Sequence, residues 1–141
     1  NSLVLDLFAG TGSFGLECIS RGSAKVYFVE NYPESIEILD KNIKKLKCEK
    51  KTRIFNDDVF SFFMNEKLNS EKMDLIFLDP PYKEESLKII LDSINKFKLL
   101  KKSGLIVLHR HKKTKDDIGN KFTIQRSVKY GISRIMFLKF N

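Results

Sequence analysis

Short β-branched or aromatic runs alternate along this chain with amphipathic stretches of ten or more residues, and that alternation restricts the fold more than any other feature. Strands separated by helices return to one sheet in parallel, so the pattern predicts an α/β fold with a doubly wound, mostly parallel seven-stranded sheet. The expected strands are Leu3 to Phe8, Lys25 to Glu30, Thr52 to Asn56, Asp74 to Leu78, Leu105 to His109, Phe122 to Val128 and Ser133 to Phe140. The fourth is almost unbrokenly apolar, as a strand covered on both faces should be. Helices are expected from Ser13 to Arg21, from Pro33 onward with Ile36, Leu39, Ile43 and Leu46 on one face, from Val59 to Glu66, and from Glu84 to Phe97. The last two strands are separated by Tyr130-Gly131, a turn signal, and read as an antiparallel hairpin.

A length of 141 residues is room for one domain, spanning 1–141, with one core and one site. With 42% hydrophobic and 31% charged residues the chain can bury that core. No apolar run approaches the roughly 18 residues of a membrane span and no signal peptide is visible, so a soluble cytoplasmic protein is expected. Cys18 and Cys48 are expected to be reduced thiols, in neither a disulfide framework nor a metal site. Charge is unevenly spread. Residues 1–95 hold 13 basic and 16 acidic side chains, a net −3, whereas 96–141 hold 13 basic and 2 acidic, a net +11. Such a basic end suits a polyanion, the alternative being a lysine-biased composition of 21 Lys against 5 Arg.

Two motifs carry chemistry. The first is Asp6-Leu7-Phe8-Ala9-Gly10-Thr11-Gly12-Ser13-Phe14-Gly15, between the first strand and the first helix. Its glycines allow a tight turn and a close approach to a ligand. The spacing of Gly10, Gly12 and Gly15 also fits a dinucleotide fingerprint, with Glu30 standing 20 residues after Gly10 as a ribose acceptor. Asp6 separates the readings, because a carboxylate beside a pyrophosphate is unfavourable and beside an ammonium and sulfonium is favourable. That points to S-adenosyl-L-methionine. Glu30 is then read as accepting both ribose hydroxyls. Asp58 is read as accepting the adenine amine and the Val59 backbone as meeting a ring nitrogen, the alternative being that Asp57 or Asp58 simply caps the helix that follows. Phe8, Thr11 and Asn31, which flank these positions, complete the cofactor set.

The second motif is Asp79-Pro80-Pro81-Tyr82, directly after the apolar fourth strand. Two prolines after an acid make a rigid extended loop at the carboxyl end of a strand, where open α/β sheets place their ligands. A nucleobase amine is a poor nucleophile, since its lone pair is delocalised into the ring. An enzyme that methylates it must hold both N–H groups and aim the lone pair. The Asp79 carboxylate and the Pro80 carbonyl are acceptors suited to that, and Tyr82 supplies a plane on which a base can stack. No metal is needed.

With these residues in view, Phe-Ala-Gly-Thr-Gly and Asp-Pro-Pro-Tyr together resemble the class I S-adenosylmethionine-dependent amino-methyltransferases, and more closely the bacterial 16S ribosomal RNA guanine-N2 methyltransferase family. The resemblance runs the whole chain: Leu3 to Gly12, the Gly15-Leu16-Glu17 continuation, Glu30, Asn56 to Phe62 and Asp79 to Tyr82. It implies cofactor contacts from Asp6, Gly10, Gly12, Glu30 and Asp58, a guanine held by Asp79 to Tyr82, and a partner that is ribosomal RNA or the small ribosomal subunit. A monomer is expected. Other readings stay open: a DNA adenine-N6 methyltransferase, an NAD(P)-dependent oxidoreductase, or a cofactor-free RNA-binding module. Two departures from the family pattern stand out. The segment with arginine-rich substrate contacts that usually precedes the first strand is absent, so the chain is expected to be a fragment. After the fifth strand, where the family often has an acid, stands His109-Arg110-His111-Lys112-Lys113. That stretch is read as phosphate contacts or as a solvated loop, with no partner visible for either histidine.

Overall fold

The computed structural model describes residues 1–65, 68, 70–81 and 86–141. Seven strands form one sheet: β1 (Leu3–Asp6), β2 (Lys25–Glu30), β3 (Thr52–Asn56), β4 (Met73–Leu78), β5 (Leu100–His111), β6 (Phe122–Tyr130) and β7 (Ser133–Phe140). Four helices connect them: α1 (Ser13–Ser20), α2 (Pro33–Lys45), α3 (Val59–Met64) and α4 (Leu87–Lys96). The strand order is β3-β2-β1-β4-β5-β7-β6. The first five strands run parallel, and β7 lies antiparallel between β5 and β6. The chain runs outward from β1 to β3 and then returns to β4 on the other side of β1. This reversal opens a crevice at the carboxyl ends of β1 and β4.

Side-chain alternation along the strands divides the core between the two faces. Leu5, Leu7, Tyr27, Val29, Ile76, Leu78 and Ile106 pack with α3 and with Leu87, Ile90, Leu91 and Ile94 of α4. Val4, Val26 and Phe28 pack on the other face with Leu16 of α1 and with Leu39 and Ile43 of α2. On α2, Pro33 stands at the first turn, Glu34 near the N-terminus, and Lys44 and Lys45 in the last turn, as the helix dipole favours. No helix among the described residues is long and apolar enough to cross a membrane.

The expected elements are all present; β2, β3 and β7 have the expected ends and the others differ. β1 stops at Asp6 because Leu7 and Phe8 already belong to the turn. β5 is longer at both ends, since Leu100 pairs with Met73 and His111 with Ser133. β6 continues to Tyr130, which pairs with Ser133 and leaves Gly131-Ile132 as a two-residue loop. The expected helix ends at Glu66 and Glu84, and Tyr82 itself, lie outside the described residues.

Candidate active site

The carboxyl ends of five adjacent strands supply the walls of one cavity of about 520 Å³, a volume typical of sites for small organic ligands. Phe8 and Gly10 follow β1, Glu30 and Asn31 end β2, Asp57, Asp58, Val59 and Phe60 follow β3, Asp79, Pro80 and Pro81 follow β4, and His109 comes from β5. The two motifs, some seventy residues apart in sequence, therefore face one space because β1 and β4 are neighbours in the sheet.

The glycine turn closes on β2. The Gly10 N–H donates to Glu30 Oε2 at 2.7 Å, and the N–H groups of Asn31 and Tyr32 donate to Oε1 at 3.0 Å. Glu30 is thus oriented by three backbone donors at the cavity wall. The three glycines have different reasons to be there. Gly10 has φ +54° and open space where a Cβ would stand, so its backbone is free for close approach from the cavity. A Cβ at Gly12 would lie 2.2 Å from Leu39 Cδ1, and one at Gly15 would lie 2.3 Å from Phe28 Cε1. Those two let α1 and its turn pack on α2 and β2.

Three residues of the expected cofactor set do not line the cavity. Gly12 faces α2, and Thr11 offers its carbonyl to Asn42 Nδ2 of α2 at 3.1 Å. Their place in the turn meets a packing requirement against α2. Asp6, 1% exposed, shares the strand face of Val4 and sits beneath the turn. Its Oδ1 is buried with no hydrogen-bond partner among the described residues. Burial pushes its carboxyl up to about 7, the Gly15 N–H opposes this, and the charges of Asp79 and Glu30 add to the rise.

Asp58 has the role its alternative reading assigned. It is the N-cap of α3, with Oδ1 accepting from the N–H groups of Phe60 and Ser61 at 3.0 Å and Oδ2 from the Ser61 hydroxyl at 2.6 Å. These donors hold its carboxyl below the usual range, the Ser61 hydroxyl contributing most. It also remains on the cavity wall.

The Asp79–Pro81 segment is held from β5. His109 Nδ1 lies 2.8 Å from Asp79 Oδ1, and Arg110 Nη1 donates to the Pro81 carbonyl at 3.1 Å. A carboxylate accepts, so His109 Nδ1 is the donor of this bond. Arg110 is 3% exposed and also donates from Nε and Nη2 to the Asp116 carboxylate at 2.9–3.1 Å. His109 ends the expected strand, Arg110 continues β5 where a solvated loop was the alternative reading, and both hold the loop after β4. Sequence reasoning missed both roles. The signal available was adjacency, since Leu78 pairs with Leu108 and residues 79 and 109 must then stand side by side.

Comparison with known proteins gives the family. A Bacillus subtilis protein named "Putative rRNA methyltransferase YlbH" is 31% identical over 137 residues, which are 96% of this chain and 74% of that one. "Ribosomal RNA small subunit methyltransferase D" of Buchnera aphidicola is 30% identical over 129 residues, which cover 89% of this chain and 64% of the relative, under two thirds of its length. A solved structure of a conserved hypothetical protein of Streptococcus pyogenes matches with a TM-score of 0.90 at 26% identity, over 99% of this chain and 86% of that one. The family model described as "Conserved hypothetical protein 95" matches residues 1–139, and the chain belongs to that family and with it to the class I S-adenosylmethionine-dependent methyltransferases.

Proposed function

We propose that the chain transfers a methyl group from S-adenosylmethionine to the exocyclic N2 amine of a guanine in small-subunit ribosomal RNA, acting in the cytoplasm as a monomer. The observation that carries this reading is the shared cavity, which sets the acceptors of Asp79 and Pro80 in one space with Glu30 and Gly10. Its wall holds four carboxylates, Glu30, Asp57, Asp58 and Asp79, and one imidazole. An acidic wall favours a ligand bearing an ammonium and a sulfonium and disfavours a pyrophosphate, which argues against the dinucleotide reading.

Glu30 would hold the ribose hydroxyls, Gly10 would let the ligand lie close to the backbone, and Asp58 and Val59 would meet the adenine edge. The bound cofactor supplies an electrophilic methyl on sulfur. Asp79 and the Pro80 carbonyl accept the two N–H bonds of the guanine amine, turning its lone pair toward the cavity. His109 keeps Asp79 Oδ1 engaged and so leaves Oδ2 as the oxygen for the amine. The same Oδ2 would take the proton that the amine loses on alkylation. Position and fixed dipoles supply the rate, with no covalent intermediate on the protein.

The test is methyl transfer from labelled S-adenosylmethionine to 16S rRNA and to small subunits, followed by nucleoside analysis. Asp79→Ala should abolish transfer while retaining S-adenosylhomocysteine binding, and Glu30→Ala should weaken that binding. Transfer by Asp79→Ala at the parent rate, or a product of N6-methyladenine in DNA, would refute the reading.

A further inference from the structure

The cavity wall is acidic, so the phosphates on either side of an inserted base find no favourable contact there, and the nucleic acid must be anchored elsewhere. The same end of the sheet carries an anchor of opposite sign. The connection after β5 bears exposed Lys112, Lys113 and Lys115, and the end of β6 bears exposed Lys129. Two buried or partly buried arginines hold this connection in place. Arg110 binds Asp116, and Arg134 Nη2 donates to the Thr114 carbonyl at 2.8 Å. The Lys112 N–H donates to the Ile132 carbonyl at 2.7 Å, which sets the lysines against the β6–β7 loop. There Tyr130, 67% exposed, presents an aromatic ring to solvent.

Register sharpens the charge. Lys129 stands opposite Arg134, and Arg134 opposite Arg110, a row of three cations across neighbouring strands. Like charges directly opposite are destabilising, and among the described residues only Arg110 of these three has a carboxylate partner. The four lysines form no ion pair among the described residues. Lys112 follows the cavity residue His109 by three positions, about 10 Å of extended chain.

We propose that Lys112, Lys113, Lys115, Lys129 and Tyr130 form a docking platform for single-stranded RNA flanking the target base, the lysines taking phosphates and Tyr130 stacking a neighbouring base. This rests on the reading of the substrate as RNA. The platform is independent of the chemistry in the cavity, so binding and transfer can be measured separately.

The experiment is a fluorescence-anisotropy titration of a labelled single-stranded RNA of about twelve nucleotides into the full chain, between about 50 and 200 mM KCl. Lys112→Gln/Lys113→Gln/Lys115→Gln is compared with Lys96→Gln/Lys98→Gln/Lys102→Gln, which removes the same charge from exposed positions at the opposite end of the sheet. The platform variant should bind about tenfold or more weakly at 0.1 M KCl, with a slope of log affinity against log salt smaller by about 2, while the control keeps the parent slope. S-adenosylhomocysteine binding should be unchanged in both, which verifies the fold of each variant. Tyr130→Ala should weaken RNA binding about tenfold with the parent slope. Equal losses from the two triple variants, no loss from the platform variant, or tighter binding of a DNA duplex of equal length would overturn the proposal. An unchanged Tyr130→Ala would overturn the stacking contact. RNA binding that follows this pattern without methyl transfer would leave the platform standing and refute the catalytic reading.

Discussion

Asp6→Asn should make the ligand-free protein more stable at neutral and alkaline pH, although it alters a residue of the most distinctive motif in the chain. Asp6 is 1% exposed, its Oδ1 lacks a partner, and burial raises its carboxyl from 3.8 to about 7. A folded state that holds this proton more tightly than the unfolded chain is favoured at low pH. The contribution is fully present below 3.8, declines as pH rises toward 7, and is constant above. A gap of that size, at about 1.4 kcal/mol for each tenfold in proton affinity, is about 4 kcal/mol. Asparagine has the same shape and no charge to desolvate. Urea unfolding from pH 4 to 8.5 should therefore show the parent losing about 4 kcal/mol relative to Asp6→Asn across this window, with the two nearly parallel above pH 8. Subtracting the variant cancels the other titrating groups, including Asp58 and Asp74, whose lowered carboxyls act in the opposite direction at lower pH. Equal pH dependence in parent and variant would refute the argument that Asp6 is desolvated beneath the turn.

Gly15→Ala should destabilise the fold by about 1–3 kcal/mol in urea unfolding, because its Cβ would stand 2.3 Å from Phe28 Cε1 and 2.8 Å from Val26 Cγ1. Gly10→Ala meets no atom, so only its φ of +54° counts, at about 1–2 kcal/mol. No loss at Gly15 would contradict the packing assigned to it. Arg110→Met should cost about 3–5 kcal/mol by leaving Asp116 buried without its cation, and Arg110→Met/Asp116→Leu should recover most of it. Additive losses in that double-variant cycle would show that the pair is not coupled.

The sheet, its helices and both motifs were legible because each depends on local patterning. Apolar runs of period two, amphipathic runs of period 3.6, and glycine or proline at turns are properties of a few consecutive residues. Glu30 and Asp79 could be nominated the same way, as acids at strand ends. Asp58 could only be nominated with two roles, since a cap and a ligand contact ask for the same residue type. What sequence could not supply were the roles set by neighbours in space. Gly12 and Gly15 look like ligand glycines in the motif, and only the approach of Leu39 and Phe28 shows that packing demands them. His109 and Arg110 look like the start of a basic loop, and only the pairing of β4 with β5 and the return of Asp116 make them the supports of Asp79 and Pro81. A side chain's local propensity is written in its own stretch of chain, whereas its partner is chosen by the fold that brings distant strands to the same edge.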